Sequence, residues 1–188
     1  MEIYENPIPG SLTKYTRFIK MRLDEVPTIV DHLMTFPNGM TCNAKSPRMR
    51  LLWLHKNLTC EFCGISASFA ALESHAATPD ATHLNFYATD YAGKDVLLTW
   101  DHVQPKSLGG SNAMNNSQCL CTICNGLKGN DKSEKEVKQA RQKLGMPIRY
   151  EYFGDGSMKF FWTRKQFSTN LPGEAQSKLT REAVTATN

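Results

Sequence analysis

Four cysteines in two Cys-x-x-Cys pairs, Cys60/Cys63 and Cys121/Cys124, constrain this chain more than any other feature. A two-residue gap lets both thiolates of a turn point at one ion, and two such turns fill the tetrahedral shell of Zn²⁺, with Zn–S bonds of about 2.3 Å. Four thiolates leave no open coordination position, so the expected zinc is structural rather than catalytic. Cys42 and Cys119 fall outside the pairs and are read as buried or half-buried free thiols. A disulfide framework is not expected at this spacing.

With 188 residues and 40% apolar side chains, the chain can build one packed domain with added elements. It has no apolar run of membrane-spanning length, and MEIYENPIPG at the start has no basic-then-apolar leader. A cytoplasmic protein with no membrane partner is therefore expected. The net charge of +4 is unevenly placed: residues 101 to 150 carry eight Lys/Arg against four Asp/Glu, whereas residues 51 to 100 carry two against five. The basic excess coincides with the second cysteine pair and suits a polyanion such as nucleic acid, although a solvated helix face gives the same local charge.

Periodicity divides the chain into segments. Residues 11 to 25 place Leu12, Tyr15, Phe18, Ile19 and Leu23 on one helical face with Ser11 as cap, and TIVDHLM forms a short second segment ending at the turn Pro37-Asn38-Gly39. Ser46-Pro47 starts a third helix. Residues after Cys63 are small and polar and read as an irregular or partly helical insertion. HLNFYATDYAGKDVLLTW reads as a hairpin turning near Tyr91 to Lys94 and delivering Asp101. A short helix from Cys121 to Lys128 stops at Gly129. Another starts at the Ser133-x-x-Glu136 capping box, and a final hairpin turns at Asp155-Gly156. Trp53, Trp100 and Trp162 are assigned to packing, as are His32, His55, His75 and His83 to packing or surface.

Asp101-His102 at a strand end, Gly109-Gly110, Asn116, Cys121-x-x-Cys124, Asn125 and Lys128 follow one another in a pattern that resembles the HNH endonuclease family in its zinc-bearing form. The resemblance covers residues 58 to 130. It implies an α+β fold: a ββα-metal core with a four-cysteine zinc knuckle, here flanked by N-terminal helices and a C-terminal β-hairpin. The expected organisation is a helical region over 1–57, the nuclease core with its zinc site over 58–130, a helix and hairpin over 131–167 and a disordered tail over 168–188. The cysteine pairs lie further apart than in many zinc-bearing relatives, which marks 64–95 as an insertion.

The residues themselves supply the chemistry. An imidazole has the unperturbed pKa closest to neutral, so His102 is the expected general base. Asp101 offers a hard carboxylate oxygen and Asn125 an amide oxygen, suited to Mg²⁺ or Mn²⁺ with positions left open for water and phosphate. By resemblance Asn116 organises the loop and helps hold the base. Lys128, one turn after Asn125, is expected to contact a phosphate. The expected activity is metal-dependent endonucleolytic hydrolysis of DNA, by a monomer or a homodimer, leaving a 5′-phosphate and a 3′-hydroxyl. By resemblance, such free-standing proteins occur in bacteriophages and bacteria as homing, restriction or packaging-associated nucleases. The competing expectation is a zinc-dependent nucleic-acid-binding module without turnover.

Overall fold

The structure is a computed structural model and describes residues 1–10, 14–44 and 58–162. Six antiparallel strands form its principal sheet in the order β1-β2-β5-β6-β7-β8. These are β1 (Glu2–Pro9), β2 (Tyr15–Met21), β5 (Phe69–His75), β6 (Thr78–Thr89), β7 (Asp95–His102) and β8 (Ser117–Cys121). Between β2 and β5 the chain makes a small hairpin of β3 (Leu33–Thr35) and β4 (Thr41–Asn43), turning at Gly39 as its Pro-Asn-Gly signal demands. Two helices follow, α1 (Thr122–Lys128) and α2 (Glu134–Lys143), and then a second hairpin of β9 (Arg149–Tyr152) and β10 (Met158–Phe161).

The N-terminal helical region is corrected. Over the described part of 1–57 the chain is strands with one short 3-10 turn at Leu23–Glu25. Tyr15, Arg17, Ile19 and Met21 are the buried positions of β2, but a register shift between Arg17 and Ile19 puts Arg17 over Phe69 and Tyr87 on one sheet face and Ile19 and Met21 in the core on the other, so the shift and the buried charge together hide the alternation. The insertion after Cys63 is corrected too: it holds β5 and β6, the middle of the sheet. β5 is buried on both faces, and Ala70 and Ala71 are small because layers press on each side. The expected helix from Ser46, Trp53, His55 and the expected tail lie outside the described residues.

One sheet face carries the main core, in which Ile19, Leu72, Leu84, Phe86, Leu98 and Leu120 pack with the four paired cysteines, Val137 of α2 and Tyr150 of β9. The opposite face holds a smaller cluster of Phe69, Ala71, Tyr87 and Leu97. The helix and hairpin expectations after residue 83 agree with the structure. α1 stops where Gly129 takes a positive φ of 57°, α2 starts on the Ser133/Glu136 capping box, and the last hairpin turns at Gly156. No helix among the described residues is long and apolar enough to cross a membrane.

Candidate active site and metal centre

β8 runs back beside β7 with Asp101 opposite Gln118 and His102 opposite Ser117. Pleating sends Thr99 and Asp101 to one side of β7 and Trp100 and His102 to the other. α1 follows β8 directly and lays Asn125 and Lys128, one turn apart, against the first pair. Asn125 Nδ2 donates to Thr99 Oγ1 at 3.0 Å, and Lys128 Nζ donates to Asp101 Oδ2 at 2.8 Å. Lys128 Nζ also donates to the His102 carbonyl at 2.7 Å. Gln118 Nε2 reaches the same two acceptors, at 2.8 and 3.2 Å. Two donors thus bracket one carboxylate oxygen and one carbonyl, and among the described residues Asp101 Oδ1 and Asn125 Oδ1 keep no hydrogen-bond partner.

Lys128 is only 4% exposed. Its ammonium faces the Asp-His strand end rather than solvent, which is not how a phosphate contact is presented. Its aliphatic stem packs inward, and the ion pair with Asp101 satisfies the charge that burial would otherwise penalise.

The His102 imidazole leaves the strand on the Trp100 side, with ring centroids 4.4 Å apart. Its Nε2 lies 3.0 Å from Asn112 Oδ1. An amide oxygen accepts, so a hydrogen bond at this contact would place the hydrogen on Nε2 and leave Nδ1 as the nitrogen available to a general base. Asn112 sits in the loop between β7 and β8, which Asn116 holds in shape. Asn116 Oδ1 accepts from the Gln104 N–H at 2.8 Å, and its Nδ2 donates to the carbonyls of Gln104 at 3.0 Å and Ser111 at 2.8 Å. Gly110 is required here, since a Cβ would lie 1.8 Å from the Gln104 carbonyl oxygen. Asn116 therefore reaches the imidazole through the loop that carries Asn112. Neither Asn112 nor Gln118 is singled out by sequence reading. The register opposite Asp101 could have marked Gln118, while Asn112 has no local signal beyond the turn-rich loop.

The four paired cysteines meet at the other end of the β7/β8 pair, where Cys121 lies opposite Leu98. Their Sγ atoms lie within 4.8 Å of one another, and all four residues are buried. Cys63 and Cys121 Sγ are 3.8 Å apart. That is the edge, about 3.8 Å, of a tetrahedron with 2.3 Å metal–sulfur bonds, and nearly twice a disulfide bond. The donor set and spacing fit a structural zinc. Hydrogen bonding from Cys121 holds Cys60, and from Cys124 holds Cys121, below the usual thiol range; hydrogen bonding with Cys121 pushes Cys63 and Cys124 above it. Cys42 and Cys119 are buried free thiols as expected, and burial pushes Cys119 up.

Antiparallel β7 and β8 and the helix that follows them form a strand-strand-helix unit, with a four-cysteine cluster able to hold a metal ion at the helix start. The HNH endonuclease family model matches residues 91–140, which hold Asp101, His102, Asn116, Asn125 and Lys128, and this match supports assignment to the HNH endonuclease family. The HNH domain suggests a nuclease-type function, and hence a nucleic-acid substrate. No curated protein and no solved structure matches the chain.

Proposed function

We propose that the chain is an HNH-type endonuclease that hydrolyses DNA phosphodiester bonds, with His102 as general base and β7, β8 and α1 as its ββα-metal core. The observation that carries this reading is the His102 imidazole, whose Nε2 is engaged by Asn112 and whose Nδ1 is left to take a proton, on the strand residue that follows Asp101, whose carboxylate keeps one oxygen uncommitted on the other side of β7. Asp101 and Asn125 would hold one Mg²⁺ or Mn²⁺ through their Oδ1 atoms. Such an ion supplies charge relief for the phosphate and helps the departing oxygen.

The chain's own residues do the rest. His102 takes a proton from the attacking water as its oxygen bonds to phosphorus. The P–O3′ bond then breaks, its electron pair stays on the 3′ oxygen, and protonation there gives the 3′-hydroxyl while the 5′-phosphate remains. Gln118 and Lys128 keep Asp101 in one rotamer and tie the His102 carbonyl down, so the base and the ligand keep a fixed relation.

A plasmid-nicking assay with Mg²⁺ or Mn²⁺ tests the reading. His102→Ala should lower the rate by about 10²- to 10⁴-fold, the usual range for a lost general base, with DNA affinity retained. Binding without nicking by the wild-type chain under every metal condition would favour the non-catalytic binding module instead.

A further inference from the structure

Arg141 is the largest of the fully buried side chains, a guanidinium 2% exposed inside the main core. Among the described residues it forms no ion pair with a carboxylate. Its Nε donates to the Pro147 carbonyl at 2.7 Å and its Nη1 to Cys124 Sγ at 3.4 Å. A buried cation needs a counter-charge, and the neighbour able to supply one is the thiolate cluster. Four thiolates around a divalent cation carry a net charge of −2, and one arginine halves it.

Arg141 is also one of two buried residues of α2, the other being Val137. Immediately after the helix, the Tyr150 N–H of β9 donates to the Cys63 carbonyl at 2.7 Å. A Cβ on Gly64 would lie 2.5 Å from the Tyr150 carbonyl oxygen, so the β9 backbone is pressed directly onto the first knuckle. α2 and the final hairpin therefore meet the protein at the cysteine cluster, alongside ring contacts of Phe160 and Trp162 with Tyr91 and a hydrogen bond from the Ser66 N–H to the Tyr152 hydroxyl.

We propose that Arg141 is the counter-ion of the metal–thiolate cluster, and that metal occupancy of the four cysteines decides whether α2 and the β9–β10 hairpin stay docked. The proposal rests on the metal reading of the cysteines and is independent of the nuclease reading. It makes the knuckle a clasp for α2 and the final hairpin as well as a support for α1. Lys135, Lys138 and Lys143 lie on α2 with Glu134 and Glu136, and these side chains are held in place only while the clasp is closed.

The full chain is compared as wild type, Arg141→Lys and Arg141→Met, by zinc content, zinc release to a competing chelator and hydrogen exchange. Removing zinc from the wild type should strip protection from residues 134–161 while β5 and β6 keep theirs. Arg141→Met should weaken zinc affinity by about 10- to 100-fold, the usual effect of removing a hydrogen bond to a metal ligand; Arg141→Lys should fall between. If Arg141→Met does not fold, the wild-type chelation arm still decides. Equal protection of 134–161 with and without zinc, or unchanged zinc affinity in Arg141→Met, would overturn the proposal. A wild-type chain that binds no zinc would refute the metal reading itself, whatever its nicking activity.

Discussion

A lysine beside a carboxylate can hold it in place or wait for a phosphate, and for Lys128 burial decides between the two. Its ammonium is spent on Asp101 Oδ2 and the His102 carbonyl. Removing one partner of a buried pair costs about 3 kcal/mol or more, so Lys128→Met should lower stability by that order in chemical denaturation. The slope of DNA affinity against salt should stay the same, because no phosphate contact is lost. A reduced slope with unchanged stability would return Lys128 to the phosphate. The same reasoning separates Asn112 from a passive loop residue. Asn112→Ala should slow turnover by about tenfold, a part of the general-base contribution. Asn112→Asp keeps an acceptor for the Nε2 hydrogen and should restore most of the rate. Its carboxylate also stabilises the imidazolium, so the acid limb of the pH–rate profile should move to higher pH. An unmoved limb would leave Asn112 with a structural role only. The residues legible in the sequence are those whose type announces chemistry: His102, Asp101 and the cysteines. Gln118 and Asn112 are ordinary amides that acquire meaning only from β7/β8 register and loop shape, which no local pattern encodes.

At the scale of elements, what is encoded locally agrees with the structure. The start of α2 is set by a box four residues long: the Ser133 hydroxyl accepts from the Glu136 N–H, while the Glu136 carboxylate accepts from the Ser133 N–H and hydroxyl. The hydrogen bond from the Ser133 hydroxyl holds the Glu136 carboxyl below its usual range. A depressed carboxylate contributes stability that is present above its unfolded pKa and lost as pH falls through the lower folded value. Ser133→Ala should therefore lower the melting temperature by a few degrees near neutrality. The difference from wild type should shrink as pH falls from the ordinary carboxylate range through the lowered value. A penalty that is the same across that interval would show that the box is not titrating. Strands β2 and β5 escape sequence reading for a reason of a different kind. Their buried positions include Arg17 and Glu73, one charge each: in β2 the charge and a register shift break the alternation, and β5, buried on both faces, has no alternation to read. The two charges pair directly across the β2/β5 register, a fact that exists only after the strands have met.

That pair belongs to the molecule as a whole, because it lies in the middle of the sheet, away from the knuckle and the β7 end. Glu73 is fully buried and accepts from Arg17 Nε at 2.8 Å, from Asn85 Nδ2 at 2.7 Å and from the Tyr87 hydroxyl at 2.7 Å. The guanidinium of Arg17 also lies over the rings of Phe69 and Tyr87, at 5.3 and 5.2 Å. Glu73→Leu would remove the 2.8 Å ion pair of Arg17 while the longer one to Asp95 at 3.9 Å stays, and should cost about 3 to 5 kcal/mol of global stability. Replacing both charges, as Arg17→Met with Glu73→Leu, should recover much of that loss. A buried pair exchanged for apolar side chains is often close to neutral, although Asn85 and Tyr87 still lose their acceptor. Zinc content and nicking per folded molecule should stay at wild-type levels in both variants, since neither charge touches the cysteines or His102. Denaturant unfolding beside metal analysis checks this. A Glu73→Leu chain as stable as wild type would mean that the charges do not hold the sheet together, and a loss of zinc at full stability would mean that sheet and knuckle communicate by a route other than the shared core.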